Sequence, residues 1–257
     1  MPASRSIVLL ALLLSMLLLA ACMDDVSVSQ GIVDRAIEAH GGANNLNATV
    51  IGFDFRDRRF TLRHDDGLFR FERTFPDSSA RIHDVLTNDG VYREIDGERI
   101  ELDDEMRRSV ISGVNSVVYF ALLPFKLNDQ AVRKRYLGAD SVRSEPYHKV
   151  EITFQEEGGG RDHEDRFVYW FHRDRHTMDY FAYDFTEDGG GTRFREAVRP
   201  RQVGGLRFQD YINYTSDIIP SPGDSIEHFN RALESGDVHI VSEINLENIS
   251  VEPISIR

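Results

Sequence analysis

The alternation of apolar and polar positions divides the chain into a leader, two helical stretches and two long β sections. The leader comes first: Ile7 to Leu19 is almost pure Leu, Ile, Val and Ala, preceded by Arg5 and followed by Leu19-Ala20-Ala21-Cys22. A basic start, a short apolar run and small residues at its end form a secretory signal peptide. The run is shorter than the roughly 20 residues a spanning helix needs. Asp24 to Ser29 is polar and predicts a tether. Ile32, Val33, Ala36, Ile37 and Ala39 then recur near the helical period, with Ser29 as cap and Gly41-Gly42 as stop. This predicts an amphipathic helix of about three turns beginning near Gly31.

The period then changes to two. Ile51, Phe53 and Phe55 alternate with smaller or polar residues, as do Phe60 and Leu62, and then Phe69 and Phe71. Asp66-Gly67, Asn88-Asp89-Gly90 and Asp96-Gly97 are turn signals, so this section predicts an antiparallel meander. Asp103-Asp104-Glu105 places acids where a helix start favours them. Met106, Val110, Val114, Val117, Val118 and Ala121 follow at helical spacing up to Pro124. Ser116 to Leu123 is apolar on nearly every side, which predicts a buried helix lying across a sheet.

Strand patterns resume at Val150–Phe154, Phe167–His172, Met178–Phe185, Phe194–Val198 and Leu206–Ile212. Ile226–Leu233 predicts a short helix, and Glu243–Arg257 an edge strand or a tail. The expectation is about nine strands in one continuous antiparallel series. Phe167–Phe171 and Tyr180–Tyr183 are apolar on both faces, so both sides need cover. A helix supplies one; a second helix, a ligand or a partner supplies the other.

Composition narrows the function classes. With 41% hydrophobic residues the chain supports a real core, and its net charge of -13 argues against nucleic acid as a partner. The single cysteine, Cys22, excludes an internal disulfide framework and a Cys-rich metal site. Leu19-Ala20-Ala21-Cys22 resembles a bacterial lipobox, which implies cleavage before Cys22 and acylation of that residue. Several acyl chains anchor a protein stably where one does not. Met23, rather than Asp, follows the cysteine. By the sorting rule of such lipoproteins this implies the outer membrane, facing the periplasm. The domain expectation is a signal peptide at 1–21, a lipidated tether at 22–30 and one domain at 31–257.

The histidines offer little chemistry. His172 and His176 are four apart but flank Arg173-Asp174-Arg175 between two strands, where a charged hairpin turn accounts for them. Asp162-His163-Glu164-Asp165 sits beside three glycines and reads as a solvated loop. His83 and Asp84 adjoin in a strand and point to opposite faces, so they do not pair. His40, before Gly41-Gly42, suits a cation at a helix C-terminus. G-x-S-x-G, the P-loop and H-E-x-x-H are absent. No catalytic residue, metal or cofactor is assigned.

Ala36-Ile37-Glu38-Ala39-His40-Gly41-Gly42, followed by a strand with Phe53 and Phe55, resembles the opening of LolA/LolB-like lipoprotein-sorting proteins. Val118-Tyr119-Phe120, Leu123-Pro124-Phe125-Lys126-Leu127, Tyr169-Trp170-Phe171 and Asp179-Tyr180 resemble an uncharacterised bacterial lipoprotein family within that group. The resemblance covers roughly residues 30–215. It implies an α+β fold: a strongly curved antiparallel sheet, an incomplete β-barrel, with helices covering the concave face. It also implies that an acyl chain, lipid or lipoprotein segment binds in the concavity. Phe53, Phe55, Phe69, Phe71, Val117, Val118, Phe120, Ile152, Trp170 and Tyr180 are the expected lining. The alternative is a structural or partner-binding envelope lipoprotein whose barrel is filled by its own helices. The chain carries its own anchor at Cys22, unlike the soluble carriers of the group.

Overall fold

The computed structural model describes residues 27–155, 165–186, 189–223 and 225–254. Cys22, the lipobox and Asp162 to Glu164 lie outside the described residues. Among the described residues the fold has fourteen strands in two antiparallel sheets of seven. The first holds β1 (Thr49–Phe55), β2 (Arg58–Asp65), β3 (Leu68–Asp77), β4 (Ala80–Thr87), β5 (Gly90–Ile95) and β6 (Glu98–Ile100), with β14 (Glu247–Pro253) beside β1. The second runs β7 (Val132–Val142), β8 (Glu145–Phe154), β9 (Phe167–His172), β10 (Met178–Phe185), β11 (Gly191–Val203), β12 (Leu206–Thr215) and β13 (His239–Ile244). Apart from the pairing of β14 with β1, every pairing within the two sheets joins strands consecutive in sequence. Paired positive-φ residues such as Asp66-Gly67 (49° and 83°) and Asp96-Gly97 (52° and 86°) make the tight turns that a twisted hairpin prefers.

The sheets are not closed into a barrel. At one side β13 and β14, joined through Asn245-Leu246, belong to different sheets. At the other side β6 and β7 are linked through α3 (Asp104–Ala121), which packs against β3, β4 and β5 and also reaches the second sheet. The concave faces of both sheets, α3 and the first helix, α1 (27–39), share one core. This is the open half-barrel with helices over its concave face expected from the sequence, built from two sheets rather than one.

Three features differ from expectation. Residues 27–30 are already helical and Ser29 is fully buried, so the helix begins inside the stretch read as tether and Ser29 is not its cap. Residues 132–149 gave no strand signal, yet β7 and half of β8 lie there. Arg133, Lys134 and Arg135 break the alternation of β7, which is an edge strand, and charge on an edge discourages pairing with another chain. The helix α3 is buried along only one stripe, Val110, Val114 and Val118. Val117, Tyr119, Phe120 and Ala121 are half-buried, and Ser116 is exposed.

A second cluster lies on the outer face of the second sheet. Trp170, Tyr180, Phe194 and Tyr214 pack there against Phe229 and Ala232 of α4 (Phe229–Ser235). Thus the strands that are apolar on both faces are covered on both, by α3 inside and α4 outside. A short helix, α2 (Ala43–Leu46), connects α1 to β1.

Candidate functional site

The approach of α3 to the second sheet defines a cavity. Asp103 caps the helix by accepting from the Met106 N–H at 2.8 Å, and acids at Asp104 and Glu105 complement its dipole. One turn before its end the helix presents Val117, Phe120 and Ala121 to a cavity of about 350 Å³. Phe55 and Arg56, at the end of β1, close one side, and Ile244 and Leu246, at the seam between the sheets, close another. The floor is polar: Arg195 from β11, Gln209, Tyr211 and Asn213 from β12, and Ser242 from β13. These positions share a face because strand side chains alternate.

Each floor residue is placed by its neighbours. Gln209 Nε2 donates to the Met178 carbonyl at 2.8 Å and to the Tyr211 hydroxyl at 3.0 Å. Burial pushes the Tyr211 phenol up to about 12, so it stays neutral at physiological pH. Arg195 lies across from Asn213 in the β11–β12 pairing and across from Phe181 in the β10–β11 pairing. Its guanidinium stacks over Phe120 at 4.1 Å, and Phe120 in turn stacks on Phe181 at 5.7 Å. Deeper under α3, Tyr119 and Tyr169 join hydroxyls at 3.2 Å.

Of the ten residues expected to line a site, Phe55, Val117 and Phe120 do so. Phe53, Phe69, Phe71, Val118 and Ile152 face the same core but pack away from this opening; Phe53 stacks on Phe60 at 5.3 Å and Phe69 on Phe71 at 4.7 Å. Trp170 and Tyr180 require a correction. Both point to the outer face, where each ring meets Phe194 at 5.6 Å. Their neighbours Tyr169 and Phe181 are the ones that face α3. A register shift between Met178 and Tyr180 also sends these two alternate residues to opposite faces. The floor residues Arg195, Gln209, Tyr211 and Asn213 were missed. Their alternation with Phe194, Phe208 and Ile212 makes them read as the solvent-facing half of amphipathic strands.

The other charged groups are engaged elsewhere. Asp84, fully buried, accepts from Arg73 at 2.5 Å and Arg93 at 2.6 Å on the concave face of the first sheet. His83 points the other way, between Glu72 at 2.7 Å and Glu94 at 2.9 Å, so the two adjacent residues do not pair. His172 takes the N–H groups of Asp174 and Arg175 on Nδ1 and meets Glu145 on Nε2, which makes it the organiser of a hairpin turn. His40 does sit at the end of α1, where its Nδ1 meets the Ala36 carbonyl at 2.8 Å. It is not the expected cation: burial brings it down to about 4. Among the described residues no group of three or more His, Cys, Asp or Glu is placed to hold a metal. Among them, too, no helix is long and apolar enough to cross a membrane.

Fold and site together define an open antiparallel half-barrel with a helix across its concave side and an apolar-walled, polar-floored cavity beneath that helix. The chain belongs to DUF6503, a family of unknown function whose model matches residues 7–245. No curated protein matches it. Among solved structures it is similar to a LolA superfamily protein from Nitrosomonas europaea, at 10% identity and a TM-score of 0.48, covering 87% of this chain and 91% of that one. It is also similar to a DUF1329 family protein from Desulfovibrio piger, at 11% identity and a TM-score of 0.46, covering 86% and 92%. A third is a putative outer membrane lipoprotein-sorting protein domain from Vibrio parahaemolyticus, at 7% identity and a TM-score of 0.43, covering 81% and 98%. Likeness at this level says nothing of what this chain binds.

Proposed function

We propose that this is a cell-envelope lipoprotein, anchored through Cys22 in the outer membrane and facing the periplasm, that holds an acyl chain, a lipid or a lipoprotein segment under α3. The observation that carries the reading is the cavity of about 350 Å³ walled by Phe55, Val117, Phe120, Ile244 and Leu246. Ligand sites have this character: apolar walls and a few placed polar groups. No covalent step is needed. Removing apolar ligand surface from water supplies about 25 cal/mol per Å², against which the cost of association is set. No residue is assigned a catalytic role.

The full chain carrying Cys22→Ser, released unacylated into the periplasm, provides the test. Native mass spectrometry of this protein, followed by solvent extraction, is expected to show a bound lipid at stoichiometric level. Ala121→Trp places an indole in the cavity and should lose that adduct while its circular dichroism is kept. A bare protein mass that persists after incubation with envelope lipids overturns the reading. It would favour the alternative, a partner-binding envelope protein with a self-filled barrel. What supports that alternative is that α1 and α3 already occupy much of the concavity, with Phe53, Phe71 and Ile152 in closed core.

A further inference from the structure

Arg195 is the residue of this site that the protein itself leaves unmatched. It is 8% exposed, and it enters no ion pair with any carboxylate among the described residues. Its Nη2 donates to the Tyr183 hydroxyl at 3.0 Å, and its Nε finds no hydrogen-bond partner. Around it are the rings of Phe120, Phe181 and Tyr183, at 4.1, 5.4 and 5.3 Å. The one other arginine buried to this degree among the described residues, Arg73, is paired with Asp84, and the buried Asp210 is paired with Arg199 and Arg201. Buried charge in a native protein is paired, and buried donors are satisfied. Opposite Arg195 in the pairing of β11 with β12, Asn213 also lines the cavity, and its Oδ1 is buried without a partner. A second cation, Arg56, stands exposed at the rim over Phe55, 5.1 Å from the ring centre.

A ring-lined guanidinium at the floor of an apolar-walled cavity is built to receive an anion carried by an apolar tail. We infer that the ligand of this cavity is a single-chain anionic amphiphile, its carboxylate or phosphate head held at Arg195 and its chain running past Phe120 and Val117 toward Ile244 and Leu246. The inference rests on the reading of the cavity as a lipid site. The size agrees: about 350 Å³ is near the lower end for ligand pockets and corresponds to about a dozen water-sized groups, enough for the head and first part of one chain. The planar guanidinium fork matches either anionic head, and in an enclosed, weakly screened site a charge-assisted bond is stronger than at the surface. Asn213 Oδ1 is placed to accept from a hydroxyl on the same head.

The test compares heads on one tail. Isothermal titration calorimetry of the Cys22→Ser chain is run with dodecanoate, dodecyl phosphate, dodecan-1-ol, and acetate or inorganic phosphate as competitors. Expected is at least about a tenfold preference for an anionic head over the alcohol. In Arg195→Met the anion and alcohol affinities should converge. The relative strength of dodecanoate and dodecyl phosphate identifies the head. Equal binding of anion and alcohol by the unsubstituted protein overturns the inference and leaves the lipid site standing. Binding of acetate or phosphate as strong as that of the tailed probes overturns it in favour of a free-anion site. No binding of any tailed probe overturns both readings. Should Arg195→Met not fold, the parent protein still decides: the preference for dodecanoate must narrow as pH falls through the carboxylic acid's own titration, and a preference that stays flat overturns the inference.

Discussion

His64 is half-buried, yet both its ring nitrogens are shut away from solvent with no hydrogen-bond partner among the described residues, and its ring lies 5.2 Å from Phe71. Burial, helped by Lys126, brings it from 6.5 down to about 4, and burial, helped by Arg207, does the same for His40. For both, the folded value lies below the unfolded one, so the unfolded chain binds more protons between about pH 6.5 and 4. The stability they support is therefore complete above about pH 6.5 and is lost as pH falls toward 4. At 1.36 kcal/mol per unit the loss is roughly 3 kcal/mol for His40 and less for the partly solvated His64. His64→Phe should leave the urea midpoint at pH 7 unchanged or higher and flatten its fall between pH 7 and 5. An unaltered slope would place the acid sensitivity elsewhere. None of this was legible in the sequence. His64 follows Leu62 at strand parity, but parity does not say which face turns inward or that a ring nitrogen meets only rings.

The element that shapes the site is α3, and Gly113 sets its height above the first sheet. A Cβ at Gly113 would land on the Arg73 guanidinium, which Asp84 holds in place. The absence of a side chain lets the helix settle over a buried charged pair. Gly113→Ala gains up to about 1 kcal/mol in helix propensity but forces this contact apart, for which overpacking costs of about 1–3 kcal/mol are usual. A net fall in the urea midpoint is expected; a rise would mean that Arg73 swings aside freely. The helix itself was legible, from Asp103 at its cap to Ala121, because its spacing and its acids agree. The strands were legible where one face is polar, as in β1 and β3. Where both faces are apolar, as in Phe167–Phe171, the strand was legible but its facing was not, because nothing local distinguishes the α3 side from the α4 side. Choosing Trp170 over Tyr169 was an error of parity that only tertiary packing resolves.

For the whole molecule the sequence carried the open antiparallel half-barrel but not its division into sheets. The expected leader and its single cysteine are composition signals that need no fold. If Cys22 bears the anchor, Cys22→Ser should move the protein from the membrane fraction to the soluble periplasmic fraction, read by fractionation and immunoblot. Retention in the membrane fraction would count against the lipid anchor. The division into two sheets was hidden, because it depends on where β14 goes: its weak alternation gives an edge strand but not a partner. The positive charge of β7 masked the other boundary. The polar floor of the cavity stayed hidden for a related reason, since Arg195, Gln209 and Asn213 read as the outward half of amphipathic strands until α3 is seen to lie above them.

The pairing of β14 with β1 has a consequence for how the chain comes to be folded. All other pairings among the described strands join strands adjacent in sequence, most of them across short turns. Thr49 meets Pro253 across nearly the whole length of the polypeptide. β1 through β6 can zip as soon as they are available, but β1 keeps a raw edge until β14 arrives. During that interval β1 is the place where a second nascent copy can add itself, so speed of completion, rather than final stability, governs how much of the protein escapes aggregation.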